Sequence, residues 1–194
     1  MPHAIHDRAV GPDDCARQHP SGQIVANEVA QAVAAAVKSV SHADSVPLAV
    51  AQNEIELGLR IPTKDEVEKA RQVMSTSKLA PRMETMEQVY ARETVLLSDF
   101  PAKVSAPLQI MKIGDLHISA IPAEVFVEIG LELKKHHSPT FTVSLANAYH
   151  GYLPTPEHHA LGGYETWRAR SSCLEVDASR KIIAGLEELI EKLR

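Results

Sequence analysis

Cysteine is scarce in this chain: Cys15 and Cys173 are the only two in 194 residues. They lie far apart and lack metal-ligand spacing, so neither a disulfide framework nor a zinc knuckle is supported. A single long-range disulfide stays open. No run of about 18 apolar residues occurs, and no membrane-spanning helix is expected. The start, MPHAIHDRAVGPDDCARQHPSG, has no apolar core and is not a signal peptide. Neither sign of charge dominates: 20 Lys and Arg stand against 25 Asp and Glu, mixed along the chain, for a net charge of −5. That argues against a nucleic-acid or anionic-membrane partner. GxSxG, Walker A, Rossmann glycine, HExxH and CxxC motifs are all missing, which removes the reaction classes they signal. Aromatics make up only 4% of the residues.

What is present is globular in character. At 44% apolar and 23% charged, the chain suits one domain with a sizeable core. Residues 1–21 show no periodicity and read as an irregular N-terminal segment; 22–194 read as the domain. Helical spacing of apolar residues predicts a helix over 22–40, capped by Ser21, with an alanine-rich face suited to close packing. Ile55, Leu57, Leu59 and Ile61 alternate with polar residues as a half-buried strand ended by Pro62. Thr63 and Glu66 form a capping box for a helix to about Met74, and a further helix covers 83–97. VSAPLQIMKIGDLHISAIP reads as a hairpin turning at Gly114–Asp115. Pro122 is expected to open an amphipathic helix, AEVFVEIGLELKKHH. A short β-rich run at 140–147 and a closing helix over 175–193 complete the order. The pattern points to an α/β layered domain, a mixed or antiparallel sheet covered by helices.

The few aromatics are concentrated. LANAYHGYLPTPEHHALGGYETWRARSS, residues 145–172, holds three of the four tyrosines, the one tryptophan and three of the ten histidines. Thr155 and Pro156 suit the start of a short helix, and Gly162–Gly163 suits a left-handed turn. Phenols and imidazoles bind metals or move protons, and each also packs as ordinary structure. Glu124, placed at the expected helix start, has two readings. It is an acid at the positive dipole end, or a metal ligand or general base at a strand-to-helix junction. Glu128 and Glu132 read as a solvated face. The His136–His137 and His158–His159 pairs lack helical metal spacing and read as surface, and His117 reads as a strand-face residue.

Two motifs carry a resemblance. IGDLHISAIPAEVFVEIGLELKK (113–135), followed by LANAYHGYLPTPEHHALGGYET (145–166), resembles the later part of the catalytic domain of the neutral/alkaline non-lysosomal ceramidase family, bacterial ceramidase-like hydrolases in particular. The order IG-x-L-x-I-x-x-x-P-x-E, helix, strand, N-x-Y-x-x-Y-x-x-T and a Tyr-Glu pair covers about residues 100–192. LGLRIPTKDEVEKA fits more loosely.

The resemblance implies a zinc ion held by two histidines, a glutamate and a tyrosine, which activates water to cleave N-acylsphingosine into sphingosine and a fatty acid. The glutamate maps to Glu124 and the tyrosine to Tyr152. The family's two zinc histidines have no match here: His3, His6 and His19 lie in the unmatched start, and GPDDCARQHPSG is at most a remnant of a site loop. The family's C-terminal immunoglobulin-like domain is also without a counterpart. The expectation is therefore a partial catalytic domain of a sphingolipid-metabolising hydrolase, inactive alone, with a lipid-like amide as substrate. A missing N-terminal segment or partner chain would complete it. As given the chain reads as cytoplasmic, and as secreted or periplasmic if an N-terminal part is missing. The alternative is a non-catalytic binding module that keeps the fold, in which Glu124 and Tyr152 are structural.

Overall fold

The computed structural model describes residues 20–194, which leaves Cys15, His3, His6 and His19 outside the described part. The chain divides into two units between Ser45 and Val46. In the first, helix α1 spans Pro20–Val37, so Ser21 lies within the helix and not at its cap. Alanine, the best helix former, fills much of it. Its apolar residues, Val29 and Val33 among them, are exposed.

The second unit, 46–194, runs β1 (Leu48–Gly58), α2 (Lys64–Ser75), α3 (Met86–Leu97), β2 (Lys103–Ile113), β3 (Leu116–Ala120), β4 (Glu124–Val125), α4 (Val127–His136), β5 (Thr140–Val143), β6 (Tyr152–Leu153), α5 (Pro156–Leu161), a 3-10 turn (Tyr164–Thr166) and α6 (Ala178–Glu191). Four strands form a mixed sheet in the order β1-β2-β3-β5. β1, β2 and β3 are antiparallel neighbours, while β5 joins β3 in parallel. β4 and β6 form a separate two-stranded parallel ladder. The α/β layered expectation holds.

Local chemistry explains most elements. The Thr63–Glu66 capping box forms as expected: Glu66 N donates to Thr63 Oγ1, and Thr63 N donates to Glu66 Oε2. Thr85 and Gln88 form a second box that starts α3. The β2–β3 hairpin turns at Gly114–Asp115, with Gly114 at φ +60°.

One face of the sheet is covered by α6 and α4. Ala106, Leu108 and Ile110 of β2 meet Ile182, Leu186, Leu189 and Ile190 of α6 in a continuous core that also takes in Ile129 and Leu133 of α4. Gly185 allows close approach, because a Cβ there would sit 2.8 Å from Leu108 Cδ1. The opposite face carries a row in register across all four strands, Val50, Met111, Ile118 and Phe141. Val50 and Phe141 are well exposed there.

The chain corrects one expectation that matters for the site. The helix begins at Val127, not at Pro122, and Glu124 lies in β4 rather than in a helical first turn. The carbonyls that a helix from Pro122 would use are already taken. Ile121 O accepts from Ala146 N, Pro122 O from His150 N and Ala123 O from Leu145 N. Long-range backbone pairing outcompetes the local helical ladder here.

Leu186 is fully buried between α6 and the sheet, so Leu186→Ala should cost about 2–5 kcal/mol in denaturant unfolding. The Arg168 guanidinium, 2.7 Å from Glu66, with help from the Thr63 backbone N–H, holds the Glu66 carboxyl down at about 2. A depressed folded pKa contributes stability that is present above the ordinary carboxylate value and lost as pH falls towards that of the folded state. Glu66→Gln should therefore flatten the fall in unfolding midpoint between about pH 4.5 and pH 2, measured by chemical denaturation across that range.

Candidate functional site

The parallel ladder of β4 and β6 places Glu124 opposite Tyr152, and Val125 opposite Leu153. Residues opposite one another in a ladder share a face, on strands roughly 4.8 Å apart. The carboxylate and the phenol therefore project from the same side of this short ladder. Both side chains are half-buried.

The backbone around them is held from two directions. Glu124 N donates to Gly151 O at 2.8 Å, and Tyr152 N donates to Ser171 O at 2.8 Å. Gly151 sits at φ +76°, and a Cβ at that position would run into the Ser171 carbonyl. Only glycine meets both conditions without strain. On the other side of β4, Val125 N donates to Ser144 Oγ at 3.1 Å, which in turn donates to Ala123 O at 2.8 Å.

Two further tyrosines complete the cluster. Tyr149 Oη donates to Glu124 Oε1 at 3.2 Å. Burial, and then the Glu124 charge, raise the Tyr149 phenol above its ordinary value. Tyr164 packs edge-on against Tyr152 with ring centroids 5.8 Å apart. The Tyr152 hydroxyl beside it, followed by the Glu165 charge, pushes Tyr164 up to about 12. The result is a row of contacts: Tyr149 bonds Glu124, Tyr152 shares its register position, and Tyr164 meets the Tyr152 ring.

Arginines at both ends of its contacts fasten the loop that bears these tyrosines. Arg60, beyond the end of β1, gives its guanidinium to Leu174 O (2.9 Å), Thr166 O (2.9 Å), Ser172 O (2.7 Å) and Ser172 Oγ (3.0 Å). Arg170 forms a two-pronged pair with Glu93 of α3 at 2.8 and 3.0 Å. Trp167 stacks edge-on with Tyr90 at 5.2 Å. No motif or spacing in the sequence marks Arg60. Its one signal there is a lone cation among the apolar residues Leu59 and Ile61.

The other candidates fall elsewhere. His117 lies in β3 with both ring nitrogens buried and unpartnered, and burial lowers its pKa. The paired histidines are less superficial than expected. The His137 side chain is only 7% exposed, and His158 packs against Phe126 at 4.6 Å. Carboxylates on neighbouring helices hold them in place, a force no spacing rule encodes. Cys173 is a buried thiol whose Sγ donates to Arg170 O at 3.6 Å.

As a metal site the cluster offers two oxygen donors, Glu124 and Tyr152, where a catalytic zinc uses three protein ligands. Among the described residues no group of three or more His, Cys, Asp or Glu side chains could hold a metal ion. Nor is any described helix long and apolar enough to cross a membrane.

No protein-family model and no curated protein matches the chain. Among solved structures it is similar to a ceramidase complexed with C2, at 24% identity over 48% of this chain, with a TM-score of 0.39. It is also similar to the neutral ceramidase from Pseudomonas aeruginosa, at 18% identity over 76% of this chain, with a TM-score of 0.47. The chain covers 15% and 28% of the lengths of those two proteins.

The coupling of Tyr164 to Tyr152 is directly measurable. Tyr152→Phe removes the hydroxyl that favours neutral Tyr164, so the Tyr164 pKa should fall from about 12 towards the ordinary tyrosine value. Ultraviolet difference titration of phenolate absorbance, with Tyr164→Phe to assign the transition, reads this shift.

Proposed function

We propose that this chain contributes the carboxylate-and-phenol wall of a zinc-dependent amidohydrolase of the ceramidase type, acting on N-acylsphingosine or a related amide. One observation carries the reading: Glu124 and Tyr152, the two residues that the motif resemblance assigns to zinc, are direct neighbours in a parallel ladder. They are far apart in sequence, and residues chosen at random seldom share a register position.

Zinc, when bound, would lower the pKa of a water and supply the nucleophile for amide cleavage. The chain's own residues prepare the surroundings. Tyr149 occupies Glu124 Oε1 and orients the carboxylate, which leaves Oε2 for a cation. Tyr164, with its raised pKa, stays protonated beside Tyr152 and serves as a hydrogen-bond donor to a substrate oxygen. The reading needs imidazole ligands from beyond residues 20–194 or from another polypeptide. It therefore assigns no amidase activity to these residues alone.

The hydrogen bond from Tyr149 and the edge contact with Tyr164 engage both key side chains without any metal. That favours one second reading, a non-catalytic module in which the cluster is structural.

Zinc titration against a chelating dye separates the two. The ceramidase-type reading expects zinc binding by the full chain that weakens roughly tenfold or more, about 1.4 kcal/mol, in both Glu124→Ala and Tyr152→Phe. It also expects hydrolysis of a fluorogenic N-acyl amide at the buffer background. Zinc affinity unchanged by both substitutions would leave only the non-catalytic reading, and full zinc-dependent amidase activity of the chain would overturn the two-ligand assignment.

A further inference from the structure

His117 is a half-buried imidazole that neither reading of the tyrosine cluster uses. Alternation along β2, from Ala106 through Leu108 and Ile110, puts Lys112 on the helix-covered face of the sheet. His117 is the register partner of Lys112 on β3, and Thr140 is the partner of His117 on β5. The imidazole therefore lies on the core side. Both of its ring nitrogens are out of contact with solvent, and neither has a hydrogen-bond partner among the described residues. Such a group is uncommon in folded proteins and calls for a cause.

Its surroundings are cationic. Lys112 of β2, His137 just past α4 and Arg194 beyond α6 face it with positive or potentially positive charge, and Asp115 of the hairpin turn opposes them. Burial first, and then the Lys112 charge, lower the His117 pKa. A protonated ring here has two donors without acceptors, directly across the ladder from an ammonium.

Lys112 is also a fastener. Its Nζ donates to Leu193 O at 2.9 Å and so ties β2 to the chain just after α6. Leu193 packs against the hydrophobic core, and its amide donates to Ile190 O at 3.0 Å. The neighbouring imidazoles act in the opposite sense. His136 Nδ1 lies 2.8 Å from Glu187 Oε1 of α6, and His137 Nε2 lies 3.9 Å from the same oxygen. A proton on either ring strengthens a tie to α6. A proton on His117 sets a cation against the ammonium that makes such a tie.

We propose that His117 is an acid-sensitive latch for the C-terminal end of α6: when its ring takes a proton, Lys112 gives up Leu193 O and the last turn of the helix leaves the sheet. The released state exposes the ring and takes the proton first, near the ordinary imidazole value. Closure is therefore complete above that value. It weakens as pH falls below it, by up to about tenfold per pH unit, until the closed state is protonated as well. The opening is local, because the middle of α6 keeps its core contacts. Neither Glu124 nor Tyr152 takes part, so the latch stands or falls independently of the amidohydrolase reading.

Amide hydrogen exchange of the full 194-residue chain, read by NMR as protection factors at pH 8 and pH 5, tests the latch. Lys192 and Leu193 should lose protection roughly threefold or more at pH 5, while Leu186 in the middle of α6 keeps its own. His117→Leu and His117→Gln, neither of which takes a proton, should hold both amides at their pH 8 protection. Lys112→Met should leave both weakly protected at either pH. Titration of the unaltered chain gives a reading that needs no variant to fold: the His117 ring and the Leu193 amide should shift with one shared midpoint below the ordinary imidazole value. Equal protection of Lys192 and Leu193 at the two pH values overturns the proposal. So does a loss that survives both His117 variants, a loss removed instead by His136→Gln, or a His117 midpoint at or above the ordinary value.

Discussion

Gly151 is the hinge on which the tyrosine cluster depends. Its carbonyl accepts from Glu124 N, and its φ of +76° brings the next residue, Tyr152, under the carbonyl of Ser171. A side chain there would collide with Ser171 O. Three segments that are far apart in sequence, 121–125, 149–153 and 171–174, meet at this one residue without a Cβ. The register that sets Glu124 beside Tyr152 follows from that meeting.

The meeting is kept in place chiefly by arginines. Arg60 spans Thr166, Ser172 and Leu174 with four hydrogen bonds, three of them to backbone carbonyls. Arg168 reaches Glu66 on α2, and Arg170 reaches Glu93 on α3. The forked guanidinium suits this work better than an ammonium, because it offers five donors in fixed directions. The loop is thus attached to β1 and both early helices by polar contacts, while the hydrophobic core under α6 holds the sheet.

Two polar clusters of different character share the second unit. The tyrosine cluster presents oxygen donors on a backbone ladder. The groove between α4, α5 and α6 is lined by half-exposed carboxylates that His136 and His158 engage. They are connected through Phe126, which precedes α4 and packs against His158 of α5.

The sequence alone determined the elements whose causes are local. The Thr63–Glu66 box, the Gly114–Asp115 turn, the Thr155 cap with Pro156 behind it and the apolar stripe of α6 were legible, because caps, turns and periodicities act over a few residues. The resemblance of two motifs also singled out Glu124 and Tyr152. What local pattern could not supply was where Glu124 sits. Its segment reads as a helix start, yet the carbonyls of Ile121, Pro122 and Ala123 are claimed by Ala146, His150 and Leu145, and the chain forms a strand instead. Tertiary structure also decided that Glu187 faces Glu132 across His136, and that Arg60 holds the loop. Each of these depends on hydrogen bonds between groups distant in the chain, whose partners exist only once the sheet and its helices have assembled.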